Sequence, residues 1–333
     1  MFRTKFRFAT ELEPDLLYTP HDLFNDYSFM KSTTAFDYDV IIIGGGPAGL
    51  SAALVLGRSR RRVLVCDGGK PRNAASHGLH NFITREGILP TELLRLARAE
   101  LAEYDVEIRR EEVVDVEIWK KGFRVCTADD GWLTSRKLLL ATGVRDAIPE
   151  IERIGEMYGI SVHHCPYCDG WEHRDGPIAV YGRGKHGLGM ALSMKTWSND
   201  VILCTDGPAK LGKKERERLA RHGIAIREEK VARLEGENGL LERIVFTEGE
   251  PLARSALFFN TGQEQSCTIP SKLKCRLTGK GSIWVDGSEC TSIPGLYVAG
   301  DASRDAQFVI VAAAEGTRAA VAINTVMQAE ERK

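Results

Sequence analysis

Two cysteines spaced by two residues, in Cys165-Pro166-Tyr167-Cys168-Asp169, are the residues of this 333-residue chain best placed to do chemistry. That spacing lets the sulfurs close into a disulfide, and a turn or helix start lowers one thiol pKa toward a usable thiolate. Pro166 suits a first helical turn. Asp169 follows directly, and a carboxyl beside the pair can pass a proton to a departing thiolate. His163 and His164 precede it and offer a second way to stabilise a thiolate. A zinc site would need a second pair at matching spacing, which Cys267, Cys275 and Cys290 do not supply. Haem attachment would need a histidine where Asp169 stands. Two buried, idle thiols are the bland alternative, and the nucleotide-binding features below favour the redox reading over it.

The first of those features is Gly44-x-Gly46-x-x-Gly49, which directly follows an apolar strand and opens a helix. This is the context a pyrophosphate needs: the first glycine makes the turn, the second lets a phosphate approach the backbone, and the third lets helix pack on strand. Asp67 ends the next strand, in place to accept a ribose hydroxyl. A kinase-type phosphate loop is excluded, because Leu50 and Ser51 stand where a lysine is required. A second motif, Gly182-x-Gly184-x-x-Gly187, follows the strand 178–181. The strand after it ends in Cys204-Thr205-Asp206-Gly207, with no arginine there to hold a 2′-phosphate. Asp206 either takes a ribose diol or begins a turn with Gly207-Pro208, so a nicotinamide role for this loop stays open. A third element, Gly300-Asp301 with Gln307, precedes a small-residue helix from Phe308 to about Met327.

The elements that must position these residues read as two strand–helix–strand units. The first is Asp39–Ile43, the glycine turn, Leu50–Gly57 and Arg62–Cys66; the second starts at Ile178 and runs through a helix to the strand Val201–Cys204. The buried strand Leu138–Ala141 stops at Thr142-Gly143, and the strand Ala256–Asn260 stops at Thr261-Gly262 in the same way. The fold class is therefore α/β, two Rossmann-like (doubly wound) domains with the second inserted into the first. Residues 37–150 and 262–333 form the discontinuous outer domain, and 151–261 the inserted one carrying the cysteine pair. Residues 1–36 read as a poorly ordered extension, and Met30 is a candidate translation start.

Composition narrows the function classes. A formal net charge of −1 gives no reason to expect nucleic acid or an acidic membrane as partner. Eight cysteines scattered through a long chain do not make a secreted disulfide scaffold and point to a reducing, cytoplasmic setting. The uncharged stretch Val40–Gly57 has the length of a membrane span, but Gly44-Gly45-Gly46-Pro47 breaks it into a strand, a turn and a helix. The mixed charges of residues 1–35 argue against a signal or transit peptide.

Taken together, Gly44-Gly45-Gly46-Pro47-Ala48-Gly49, Ala141-Thr142-Gly143, Cys165-Pro166-Tyr167-Cys168-Asp169-Gly170 and Gly300-Asp301 with Gln307 resemble the low-molecular-weight thioredoxin reductase family, from about Tyr38 to Asn324. The resemblance implies a homodimer with one FAD per subunit, held by these glycine-loop residues with Asp67 and Ala141–Gly143. Asp301 would bind the ribityl chain and Gln307 the pyrimidine end of the ring. Cys168 would face the flavin as the charge-transfer thiolate, Cys165 would attack the partner disulfide, and Asp169 would be the acid/base; no metal is implied.

NADPH-dependent members of that family carry a His-Arg-Arg run where this chain has Thr205-Asp206-Gly207, and their loop is less basic than Arg183, Lys185 and His186 make this one. The chain is thereby closest to the subset lacking the 2′-phosphate motif, which leaves NAD(P)H open as the donor. That subset includes deeply branching and ferredoxin-linked thioredoxin reductases and dithiol oxidases of the gliotoxin-oxidase type. The function implied is electron transfer from reduced FAD through Cys165 and Cys168 to a protein disulfide such as thioredoxin. The alternative is a small-molecule dithiol oxidase using FAD and oxygen. A flavin-binding sensor without turnover is the weakest reading.

Overall fold

A computed structural model describes residues 36–129 and 131–333; the expectations for the first 35 residues lie outside this range. The first sheet runs Val106–Arg109, Val63–Cys66, Tyr38–Ile43, Gly131–Leu140, Gly122–Thr127, Val113–Trp119, and Leu296–Val298 also pairs with Gly131–Leu140. Its central strands are parallel, and alternate residues bury opposite faces. Val40 and Ile42 pack with Ala52, Leu56, Ala319 and Ile323 of two helices, while Ile41 and Ile43 pack with Val116, Val125 and Leu138 on the other side.

Those helices are Pro47–Arg58 and Val309–Glu331. They meet so closely that a Cβ on Gly316 would lie 2.0 Å from the Ala48 carbonyl oxygen. By length and composition alone Val309–Glu331 would suffice to cross a membrane. Here its small residues Ala312, Gly316, Ala319 and Ala320 are buried with the first helix in the core of the sheet. The stretch Val40–Gly57 is strand, turn and helix.

The second sheet runs Ala225–Arg227, Val201–Cys204, Ile178–Tyr181, Ala256–Phe259, Val162–His163, every pairing parallel. Its inner strands Ile178–Tyr181, Val201–Cys204 and Ala256–Phe259 are buried on both faces, as a doubly wound sheet requires. A three-stranded antiparallel sheet (Val231–Glu237, Leu240–Phe246, Leu252–Ala253) covers one side through Leu234, Ile244 and Phe246. The chain passes to the second sheet through Val144–Asp146 and returns through Gln263–Gln265, and these two short strands pair antiparallel with each other. Thr261 Oγ1 donates to the Ala147 carbonyl, and Ala147 N–H donates to the Gly262 carbonyl at 3.0 Å, extending the ribbon.

Candidate active site

The first glycine loop is built as its chemistry demands. Gly44 sits at φ +111°, and a Cβ there would lie 2.2 Å from the Ala141 carbonyl oxygen; at Gly49 it would lie 1.9 Å from the Gly44 oxygen. Gly46 differs, because a Cβ there would meet nothing within 4 Å. It faces a cavity of about 650 Å³ that Gly44, Gly46, Pro47 and Ala48 line at one end. Asp67, Ala141, Thr142, Gly143, Gly300, Asp301 and Gln307 line the same cavity, as do Cys168 and Asp169 at its far end. Neither Gly49 nor Cys165 is on its wall. Residues from five separated stretches thus converge on one space.

Two observations test whether a dinucleotide fits. Backbone at Gly46 is open to the cavity rather than packed. Among the described residues Glu111 Oε2 and Thr142 Oγ1 are buried without a hydrogen-bond partner, with the Cys267 thiol beside Thr142. Polar atoms left this way in a cavity are expected to be satisfied by what fills it. Asp67 is less free than its position suggested: Arg98 donates to its Oδ2 at 2.6 Å and Gly69 N–H to its Oδ1 at 3.0 Å. Ionised carboxylate oxygens keep further acceptor capacity, so a ribose hydroxyl can still join.

Arg72 organises the middle of the cavity. Its Nε and Nη2 donate to the two oxygens of Asp146, at 2.8 and 2.5 Å, a bidentate fork. Its Nη1 donates to Asp301 Oδ2 at 2.8 Å and to Gln307 Oε1 at 2.7 Å. With Gln307 Oε1 so occupied, the amide nitrogen is the group left to donate; within the chain it makes only longer bonds to the Asp301 and Arg304 carbonyls. Burial alone would raise the pKa of Asp146, but Arg72, with His164 and Tyr158, outweighs it and holds the carboxyl below its usual value. Tyr158 Oη donates to Asp146 at 3.1 Å and lies 3.0 Å from His164 Nδ1. Burial lowers the His164 pKa, so the ring is neutral near pH 7.

The redox turn is a single helical turn, Pro166–Asp169, with Cys165 as its N-cap. Cys165 and Cys168 are joined as a disulfide, with Cα atoms 5.3 Å apart, and Cys168 N–H donates to Cys165 Sγ at 3.1 Å. Gly170 ends the turn where a Cβ would strike the Pro166 carbonyl and the Trp197 ring. Tyr167 stands edge-on to Trp197 and is 68 % exposed, and Trp171 is 63 % exposed, so large apolar side chains face outward beside the pair. Asn81 Nδ2 donates to the Tyr167 carbonyl at 2.9 Å, and His80 lies 3.5 Å from Glu172, tying the turn to the loop after Asp67. His163 and His164 both border the cavity, and His163 also meets Asp169 and His173.

The second glycine loop differs from the first at its mouth. Gly184 N–H donates to the Ala209 carbonyl at 2.9 Å, and the only neighbour a Cβ on Gly184 would meet is the Lys210 oxygen. The segment after the strand 201–204 therefore caps the loop. A guanidinium does lie at the strand end, contrary to expectation, but it comes from the loop itself: Arg183 donates to the Thr205 carbonyl and to Asp206 at 3.3 Å. Asp206 sits at φ +48° and also accepts from Tyr181 Oη at 3.1 Å and Val231 N–H at 2.8 Å, on two neighbouring strands. Gly182 and Gly187 pack on each other, and none of these residues borders the large cavity.

Sequence reading missed Arg72, Asp146, Tyr158, Glu111 and His173. Arg72 had a local signal, a charged residue in the Gly68-Gly69-Lys70-Pro71 turn right after the ribose acid. Its partners lie 74, 191, 229 and 235 residues away, where no spacing pattern reaches.

Comparison with known proteins agrees with this architecture. Residues 38–316 match the family model described as pyridine nucleotide-disulphide oxidoreductase. A thioredoxin reductase-type protein of Arthroderma benhamiae is 30% identical, over 88% of this chain and 81% of its own. A crystal structure of a TrxB-type thioredoxin reductase from Bacillus anthracis superposes with a TM-score of 0.84 at 32% identity, covering 88% of this chain and 99% of that one. The crystal structure of HlmI gives 0.85 at 36% identity, covering 88% and 93%. This chain accordingly belongs to the pyridine nucleotide-disulphide oxidoreductases, as an FAD-dependent disulfide oxidoreductase of the thioredoxin reductase type.

Proposed function

We propose that this enzyme moves electron pairs between FAD and a partner disulfide through Cys165 and Cys168, and that the partner is a thioredoxin-like protein. One observation carries the reading: of the two cysteines only Cys168 borders the cofactor cavity, and Asp169 borders it beside Cys168. FAD, when bound by the Gly44–Gly49 loop, Asp67, Asp301 and Gln307, supplies the two-electron chemistry. The chain's residues then divide the work. Cys168 is the inner thiolate, Cys165 the outer thiol that attacks the partner, and Asp169 exchanges the proton that the departing sulfur needs. Tyr167 and Trp171 offer an apolar rim to a docking protein. We propose further that two copies associate as a homodimer in the cytoplasm.

A second reading is favoured by the capped loop at Gly184 and by the paired Arg183 and Asp206. They tie up a loop amide and the charges that a nicotinamide nucleotide would need, which suits an enzyme charged by a small dithiol and discharged to oxygen. Anaerobic mixing of the oxidised enzyme with NADPH, NADH and a dithiol separates the two, since a hydride donor that binds must bleach the flavin. Rapid bleaching by NADPH would defeat the second reading. Bleaching by dithiols alone, with oxygen consumption on aeration, would defeat the first.

A further inference from the structure

Beside the redox turn lies a pair of histidines that the roles above do not use. His163, on the strand Val162–His163, is buried against the ring of Phe258 at 5.3 Å. Its Nδ1 lies 3.4 Å from Asp169 Oδ2, and its Nε2 lies 2.9 Å from Nε2 of His173. His173 is half-buried and follows the redox turn on a bend between exposed residues, Glu172 and Arg174. The charged or titratable groups that act on the pair are Asp169, His164 and the two rings themselves.

Hydrogen-bond complementarity fixes the arrangement. Two neutral imidazoles facing each other through Nε2 must have one donor and one acceptor. If His163 carries its proton on Nδ1, toward Asp169, its Nε2 accepts from His173. Burial, with His163 adding, drops the His173 pKa to about 4, which keeps that ring neutral at pH 7. In that tautomer each ring holds one proton, and the chain from Asp169 outward is poised in one direction.

We infer that His163 and His173 are a proton relay between Asp169 and solvent. The inference rests on Asp169 being the acid/base, and the relay acts through that carboxyl rather than on the sulfurs. Its step balances when a dithiol opens the disulfide. A thiolate of the reductant attacks one sulfur, the Cys165–Cys168 bond breaks, and the leaving thiolate takes the proton of Asp169. His163 Nδ1–H re-protonates Asp169, His173 Nε2–H passes to His163, and solvent supplies His173 at Nδ1. One proton enters, one reaches sulfur, and both rings end neutral with their tautomers exchanged. A contact of 3.4 Å is long for such a transfer at rest, as catalytic hydrogen bonds often are before the reacting group is engaged.

The test is single-turnover opening of the disulfide in the holoenzyme by dithiothreitol, quenched by alkylation and counted as thiols by mass, across pH and in deuterated solvent. His163→Asn keeps an N–H toward Asp169 and cuts the link outward; His173→Phe keeps the ring volume and cuts it one step later. Each is expected to slow opening about tenfold at pH 7, less than the roughly 10²–10⁴-fold of a direct general acid because the rings act through Asp169. Each should also reduce the solvent isotope effect, and the double variant should lose no more than either single one, as members of one chain do. Added imidazole should restore His173→Gly. Asp169→Asn separates the two ideas: wild-type opening in that variant would defeat the acid/base role itself. Slow opening there, with wild-type rates and isotope effects in both histidine variants, would defeat the relay alone. Losses that add in the double variant, or no rescue by imidazole, would also overturn it.

Discussion

Replacing Arg72 with methionine removes the group that holds five acceptors beside the cavity while keeping most of the apolar stem. Asp146 is the partner with most to lose, since its side chain is only 6% exposed, against 21% for Asp301. Removing one member of a buried pair costs about 3–5 kcal/mol, because the other is left charged without compensation. Tyr158 and His164 stay beside Asp146, so the lower end, about 3 kcal/mol, is the expectation for that carboxylate. The bond to the more exposed Asp301 adds about 1 kcal/mol. A total near 4 kcal/mol lowers Tm by roughly 8–16 °C for a domain of this size.

The assay is thermal unfolding of flavin-free protein, followed by tryptophan fluorescence, so that lost cofactor affinity does not enter. Arg72→Met with Asp146→Asn should recover about half the loss, since a neutral amide costs far less to bury than an unpaired carboxylate. The pH dependence has a fixed sign. In the wild type the depressed Asp146 pKa contributes stability that is present above its unfolded value of 3.8 and is lost as pH falls through the lower folded value. Without Arg72 the folded pKa rises instead, so the variant's deficit should shrink as pH falls. A single variant within 1 kcal/mol of wild type, a double variant no better than the single, or a deficit that grows on acidification would refute the argument.

Three further outcomes follow from the site. Gly46→Ala should leave the flavin-free Tm unchanged, because its Cβ meets nothing, yet weaken FAD binding by roughly 10²-fold through two lost charge-assisted hydrogen bonds. Gly49→Ala should instead lower the Tm itself, since its Cβ strikes the Gly44 oxygen; equal behaviour of the two would contradict the loop's geometry. Cys165→Ser should keep a long-wavelength thiolate–flavin absorption that Cys168→Ser loses, and identical spectra would reverse or void the assignment of the inner sulfur. His173, with its pKa lowered from 6.5 to about 4, contributes stability present above 6.5 and lost as pH falls toward 4. His173→Phe should therefore flatten unfolding curves across that window, and an unchanged acid limb would mean the ring is not held neutral.

What could be read from the sequence was what local spacing encodes. Gly44, Gly46 and Gly49 with Asp67, the pair Cys165 and Cys168, and Gly300-Asp301 each lie within one turn or at one strand end. The residue types there follow from what backbone and sulfur can do. The centre of the site escaped because it is assembled by topology: Arg72 from one loop, Asp146 from a joint and Gln307 from the C-terminal region meet only after the sheets form. The second glycine loop misled for a related reason. An arginine was sought after the strand, at the position where a 2′-phosphate is usually met. Arg183 reaches the same place from before the helix, and its charge is already spent on Asp206. Membrane-span length was a poor guide as well: the stretch 40–57 has it and is broken by a turn, while Val309–Glu331 has it as a helix packed into the core.

The antiparallel ribbon of Val144–Asp146 and Gln263–Gln265 bears on how such a chain could arise. Because the two joints run side by side in register, the polypeptide leaves the first sheet and rejoins it at neighbouring points. A short turn from Asp146 to Gln263 would close that half as an ordinary hairpin. The inserted portion is thus a module on two adjacent anchor points, the situation in which insertions and exchanges are best tolerated. One half can keep its cofactor loop open at Gly46 while the other drifts until Ala209 and Arg183 fill its own, and neither change needs the other sheet to be rebuilt.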